Sequence, residues 1–273
     1  MSGKKIIYSL KYIRYYLFAK TVHDIHSPFV YNLFLNILQT NSNYYAYEEV
    51  EALRKILLSD SKKICVTDLG AGSTVLQSPE RRIKDIARYS VKSAKYGQLL
   101  FRLANFFQPQ TILEIGTSLG LTAIYLAKAS SKSRVVTIEG CPDISSIAKN
   151  NFKQAGVKNI QLLTGNFDDK LKDAISQLCL VPTAPSVPGQ LDMVFIDGNH
   201  LKSPVIRYFN QCLEKVGSNS VFIIDDIHWS DEMEEAWECI KANDNVTITI
   251  DLFFMGLVFF RKEQAKEHFV LRF

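Results

Sequence analysis

The sequence predicts an α/β fold: a doubly wound, mostly parallel sheet of seven strands, preceded by a helical N-terminal extension. Three observations carry this. From about residue 95 onward, short apolar runs alternate with helical patterns, as in a parallel sheet covered by helices on both faces. The first of those runs, "TILEIG", leads through a glycine turn straight into the apolar helical pattern "LTAIYLAKA", the arrangement by which such sheets deliver a ligand to the strand ends. The tail "VTITIDLFFMGLVFFRK" reads as two strands joined around Phe254 to Gly256, so the sheet should end in an antiparallel hairpin.

The elements follow in order. Strands are expected at 111–116, 134–140, 160–166, 191–198 and 220–227, with helices at 121–129, through "ISSIAKNNFKQAG", and near 168–179, 203–215 and 231–242. "VPTAPSVPGQ" continues neither helix nor strand and reads as a loop. Residues 1–94 do not share this rhythm: helices around 5–19, 27–39 and 46–59 and one short strand ending at Asp68 form an N-terminal annex, leaving 95–273 as the main domain.

Composition sets the outer limits. With 273 residues and 47% hydrophobic content the chain can bury one large core, which excludes extended disorder. A net charge of +4 does not argue for a nucleic-acid partner, although five Lys or Arg and no acid lie between Met1 and Lys20. In "KKIIYSLKYIRYYLFAK", Lys11 and Arg14 interrupt the apolar run and no small-residue cleavage site follows, against both a membrane span and a signal peptide. This stripe is expected to pack on its own domain, with a membrane surface as the alternative. Cys65, Cys141, Cys179, Cys212 and Cys239 form no C-x-x-C pair, which suggests reduced thiols in a cytoplasmic protein and gives no support to a zinc site.

Two segments compete as a cofactor turn, "VTDLGAGS" and "ILEIGTSLG". Only the second is followed at once by an apolar helix and then by a strand, "RVVTIEG", that places Glu139 25 residues after Glu114, where it can accept hydrogen bonds from ribose hydroxyls. The turn opens with a carboxylate, Glu114, which would repel a pyrophosphate but suits an ammonium and a sulfonium. Helix N-terminal amides and the Ser118 or Thr122 hydroxyls could hold a carboxylate. Those properties describe S-adenosylmethionine.

Taken in order, "LEIGTSLGLTAIYLA", "VVTIEG", "LLTGNF" and "MVFIDGNH" resemble the successive motifs of class I S-adenosylmethionine-dependent methyltransferases, whose fold is Rossmann-like. The likeness is strongest to the catechol O-methyltransferase-like group, and with the lead-in "KYGQLLFRLANFFQPQTILEIG" it spans roughly residues 95–260. It implies that Glu114, Gly116, Ser118, Gly120 and Thr122 line the methionine end of the cofactor, that Glu139 holds the ribose, and that Asn166 and Phe167 flank the adenine.

The fourth and fifth strands should end beside this crevice in Asp197 and in Asp225 with Asp226. Asp197 is therefore expected both to face the cofactor and to join a cluster of three carboxylates. Their mutual repulsion would be relieved by a hard divalent cation such as magnesium or by a nearby lysine. The metal-dependent enzymes of the group have Asp-Asn where this chain has Asp225-Asp226, so the resemblance implies a magnesium site on Asp197, Asp225 and Asp226 with one added negative charge. Asp225 and Asp226 could instead cap a helix or bond backbone amides.

The implied reaction is in-line methyl transfer to a substrate hydroxyl. The base candidates are His200, which falls where the catechol enzymes carry a lysine, and His228 in "DDIHW". His23 and His26 have metal-like spacing without a third ligand, and His26 followed by Ser-Pro looks like a helix entry. "DLGAGS" could form part of a lid at 68–94, with Asp68 or Ser73 on the substrate, or pack as an ordinary loop.

The expected acceptor is a small hydroxylated molecule. The rivals are a tRNA hydroxyuridine-type methyltransferase, an NAD-dependent oxidoreductase and a catalytically silent adapter. A homodimer is expected only by analogy.

Overall fold

The computed structural model describes residues 3–40, 42–67, 78–179 and 189–273. The chain opens with helix α1 (Gly3–Phe18), a 3-10 turn at Val22–Asp24, and α2 (Pro28–Leu33), which runs into a π-helical segment at Phe34–Leu38. The helix entry read in "HSPF" is present: Ser27 caps α2, accepting from the Val30 amide, and Pro28 takes the first turn. Helix α3 (Tyr45–Ser59) follows, then a small antiparallel sheet of β1 (Lys63–Cys65) and β2 (Glu80–Arg82), α4 (Ile83–Tyr89) and α5 (Ala94–Phe107). The strand expected up to Asp68 ends at Cys65, and its partner β2 was not expected. Asp68 and Ser73, on which the lid idea rested, lie outside the described residues.

The main unit alternates as expected: β3 (Thr111–Ile115), α6 (Leu121–Ala129), β4 (Arg134–Glu139), α7 (Pro142–Gln154), β5 (Ile160–Thr164), α8 (Phe167–Cys179), β6 (Leu191–Ile196), α9 (Lys202–Leu213), β7 (Val216–Asp225) and α10 (Asp231–Ala242). The hairpin of β8 (Ile248–Asp251) and β9 (Met255–Phe259) and a last strand, β10 (Glu267–Val270), complete it. Most of the "VPTAPSVPGQ" loop lies outside the described residues.

Among the described residues the large sheet has eight strands in the order β10-β8-β9-β7-β6-β3-β4-β5. Strands β3 to β7 are mutually parallel, β9 runs antiparallel to β7 and β8, and β10 lies parallel to β8. The doubly wound, mostly parallel sheet is therefore present, with one strand more than the seven expected. The added strand is β10, four residues of which only Phe269 is buried, too short to show a period of two.

Alternation along each strand supplies two cores. Ile112, Val135, Phe195 and Ile223 pack under α5 and the helices at 28–38, while Leu113, Val136, Val194 and Phe222 pack under α8, α9 and α10. Part of the N-terminal segment thus shares a core with the sheet: Val30, Leu33, Phe34 and Ile37 lie in the first cluster.

Helix α1 has two apolar faces. Tyr8, Tyr12 and Tyr15 meet the ring of Phe253, Lys11 pairs with Glu234 at 2.8 Å, and the Tyr15 hydroxyl donates to the Leu271 carbonyl. Ile6, Leu10, Ile13 and Leu17 are exposed. The aromatic side packs on the domain as the sequence suggested; the aliphatic side does not. No helix of the described residues is long and apolar enough to cross a membrane.

Candidate active site

Strand order reverses between β3 and β6. Their carboxyl ends therefore open a crevice at the switch point. Two glycines of the turn lie in close approach to their neighbours, one to backbone and one to a side chain. Gly116 has φ +106°, and a Cβ there would stand 2.0 Å from the carbonyl oxygen of Asp197, so only glycine lets the end of β3 lie against the end of β6. Gly120 has φ +84°, and a Cβ there would meet the ring of Phe152 at 2.5 Å. Between them Ser118, although not glycine, also has positive φ (49°).

This turn is held by the expected acid. Glu139 accepts from the Ser118 amide at 2.8 Å with one oxygen and from the Cys141 amide at 2.9 Å with the other.

Glu114 lies beneath the turn and is fully buried. Thr137 donates to its Oε2 at 2.5 Å, whereas its Oε1 is buried without a hydrogen-bond partner. Burial pushes the Glu114 pKa up to about 8; the Thr122 and Thr137 hydroxyls pull it back only partly, and Asp197 and Glu139 add repulsion. The Ser118 hydroxyl is likewise buried and without a partner. An orphaned carboxylate oxygen and an orphaned hydroxyl beside a glycine cradle fit a ligand that brings an ammonium and a carboxylate.

Asn166 and Phe167 stand at the β5–α8 junction, at the mouth of the crevice. Asn166 is exposed and accepts the Asp168 amide at 3.0 Å through its side chain. Phe167 packs edge-on to Tyr208 with ring centroids 6.1 Å apart and lies so close to Gly198 that a Cβ there would meet it at 2.5 Å. Ring and crevice wall are thereby fixed to the segment that carries Asp197.

The three aspartates come together as expected, but a fourth residue stands among them. Lys92, from the turn before α5, forms an ion pair with Asp225 and lies 3.6 Å from Asp197 and 3.7 Å from Asp226. Burial works against its charge, yet Asp197, Asp225 and Asp226 hold the Lys92 pKa above its ordinary value. Asp225 is itself raised well above the carboxylate range by burial and by its two acidic neighbours, with Lys92 opposing. The two directions share one cause: three carboxylates around one ammonium leave an excess of negative charge, which favours a bound proton on lysine and carboxyl alike.

Asp226 adopts φ +52° and donates its amide to the Phe254 carbonyl at 2.7 Å, a strained conformation that turns its carboxylate toward Lys92. Among the described residues, Asp197, His200 and Asp225 can bring one ligand atom each within 4.8 Å of one another. The donors suit a hard divalent ion by chemistry. The position such an ion would need is the one the Lys92 ammonium holds, so as placed the residues do not fit a resident magnesium.

The two histidines differ. His200 is half-buried, with Nε2 3.7 Å from Asp197 Oδ1, and it faces the cluster. His228 has both ring nitrogens taken, Nδ1 by Glu234 at 3.0 Å and Nε2 by Asp251 at 2.7 Å, and it stacks on Phe253. Burial opposes its charge, but bonds to Asp251 and Glu234 hold the His228 pKa above its ordinary value.

Sequence reasoning had no residue for Lys92, though it allowed that a lysine could neutralise the cluster. The contribution of α1 was also missed. Tyr8 lies against Trp229, Phe253 and Phe254, and its hydroxyl pKa is raised by burial and then by Asp226 and Asp225. Neither segment carries a motif of its own; both reach the site through tertiary packing.

Crevice, glycine cradle and sheet order together define the Rossmann-like methyltransferase fold. Residues 113–227 match a family model described as a methyltransferase domain. Among curated relatives, catechol O-methyltransferases of Niastella koreensis and Mycobacterium tuberculosis are 30% and 31% identical over 137 residues, half of this chain. The match spans 57% and 56% of those proteins' own length.

Among solved structures, the O-methyltransferase TomG from Streptomyces achromogenes, in complex with S-adenosylmethionine, aligns with TM-score 0.53 and 22% identity over 84% of this chain and 95% of its own. The S-adenosylhomocysteine-bound methyltransferase PaMTH1 of Podospora anserina aligns with TM-score 0.58 and 14% identity over 89% of this chain and all of its own. The two structures show a shared fold.

Proposed function

We propose that the protein is an S-adenosylmethionine-dependent O-methyltransferase acting on a small hydroxylated molecule. The observation that carries this is the orphaned Oε1 of Glu114, a buried carboxyl oxygen at the head of a glycine cradle. A cationic ligand answers it and a pyrophosphate does not. The bound cofactor would supply an activated methyl group on a positively charged sulfur. Glu114 would take the ammonium, Ser118 and Thr122 the carboxylate, Glu139 the ribose, and Asn166 and Phe167 the adenine. The catechol O-methyltransferase relatives favour a hydroxyl as acceptor.

His200 is the residue we assign to proton removal, because its Nε2 faces the carboxylate cluster 3.7 Å from Asp197 Oδ1 and the ring is only partly buried. We assign His228 to holding α10 and β8 together, since both its nitrogens are engaged. Five free cysteines suit a cytoplasmic setting.

The test is transfer of labelled methyl from S-adenosylmethionine to a panel of catechols, phenols and sugars. Label in an ether product that disappears with His200→Ala, while cofactor binding persists, is the expected result. Label in bulk tRNA alone would replace the small acceptor with RNA, and no label in any acceptor would contradict the reading.

A further inference from the structure

We propose that Lys92 is the built-in cation of this site: its ammonium hydrogen-bonds the acceptor oxygen directly, in the position of a divalent ion, and methyl transfer proceeds without a metal. The inference rests on the methyl-transfer reading above and assigns the chemistry of its acceptor side.

Position is the first argument. The Lys92 nitrogen lies within 3.7 Å of a carboxylate oxygen on each of Asp197, Asp225 and Asp226, which come from the ends of two adjacent strands. A magnesium ion there would need oxygens at about 2.0–2.1 Å in octahedral array. It would have to occupy the centre that the ammonium fills, and two cations that close in a partly dry site repel strongly.

Anchorage is the second. Lys92 directly precedes Ser93, the N-cap residue of α5, and α5 buries Leu99, Leu100 and Leu103 in the sheet core. The lysine is thus delivered by a rigid element and is not a surface side chain that has folded inward.

Hydrogen-bond capacity is the third. An ammonium has three donors. Only the Asp225 contact is of hydrogen-bond length; Asp197 and Asp226 stand beyond the usual limit of about 3.2 Å. Lys92 keeps 18% of its side chain exposed, so an arriving oxygen can reach its free protons.

An acceptor hydroxyl bonded to Lys92 gains anionic character at oxygen. Its proton passes to His200 Nε2, which lies 3.7 Å from the same Asp197 oxygen that Lys92 approaches at 3.6 Å. The acceptor oxygen forms its bond to the methyl carbon as the carbon–sulfur bond breaks and that electron pair stays on sulfur. Hydroxyl and sulfonium become ether and thioether, and the positive charge ends on the imidazole.

The decisive experiment titrates Mn2+ into the full-length protein, free and bound to S-adenosylhomocysteine, followed by electron paramagnetic resonance. Wild type, Lys92→Met and Lys92→Met/Asp197→Asn are compared. The proposal expects no stoichiometric Mn2+ site in wild type, one site in Lys92→Met, and loss of it in the double variant. Methyl transfer by wild type should be unchanged by chelator, and Lys92→Met without metal should be slower by about 10²–10³-fold, as for loss of one preorganised donor.

One Mn2+ per wild-type chain would overturn the proposal, as would a folded Lys92→Met that gains no site. If Lys92→Met does not fold, Lys92→Gln takes its place and the wild-type titration still decides. Failure of S-adenosylhomocysteine to bind would count against the methyl-transfer reading instead, because the Mn2+ result does not depend on it.

Discussion

Glu114 shares a strand face with Ile112, and one of its oxygens has no partner. Its ordinary pKa of 4.5 is raised to about 8 by burial. Without a ligand the folded chain therefore holds a proton that the unfolded chain releases, and this residue lowers stability progressively as pH rises from 4.5 through about 8. A bound ammonium favours the ionised form. Binding of S-adenosylhomocysteine should then release a proton at neutral pH and tighten up to about pH 8, which calorimetry in buffers of different ionisation heat measures. Glu114→Gln should abolish that pH dependence and weaken binding by about 1.5–3 kcal/mol, the worth of a hydrogen bond to a charged group.

The sign is opposite at His228, whose pKa is raised as a base. Its pairing with Asp251 and Glu234 stabilises fully below the ordinary imidazole value of 6.5 and is lost as pH rises through the higher folded value. The difference in urea midpoint between wild type and His228→Gln should be larger at about pH 6 than at about pH 9. A constant difference would mean that the ring acts only by packing.

At the scale of elements, the β3–α6 turn and the roof made by α1 behave differently. Gly116→Ala places a Cβ 2.0 Å from the Asp197 carbonyl oxygen at φ +106°. It should cost about 2–4 kcal/mol in chemical denaturation and weaken cofactor binding, because β3 and β6 must part. Phe253 is buried against Tyr8, Tyr12 and Tyr15. Phe253→Ala should lower hydrogen-exchange protection across Gly3–Phe18 and cost about 3–5 kcal/mol if that helix unfolds with the domain. Protection unchanged along α1 would show that the aromatic face is not what seats it.

The turn could be read from the sequence because its signal is local: an apolar strand, an acid, two glycines and an apolar helix within a few residues. That α1 packs on its own domain could be expected, but not that it reaches Phe253 and the site, since the pattern of α1 does not say which element it meets. Lys92 was hidden for the same reason. It meets the ends of β6 and β7 only because tertiary packing brings the turn before α5 beside them.

Across the whole molecule, alternating strand and helix patterns were enough for the succession of strands and helices along the chain that builds the parallel core. The cores that flank it follow from the two faces of each strand. What the patterns could not place were the pieces whose stability comes from partners: the four-residue β10 against β8, and the pairing of β1 with β2. The same limit applies to the acceptor side of the site. Three aspartates were legible as strand ends, but their neutralisation depends on a residue more than a hundred positions away in the chain.

Calorimetric titration of the purified chain with S-adenosylmethionine, run beside NAD and beside Glu114→Gln, tests the central claim most directly. One molecule of S-adenosylmethionine per chain, no heat with NAD and weakened binding in the variant is the predicted outcome. NAD binding in its place, or S-adenosylmethionine binding indifferent to Glu114, would contradict it.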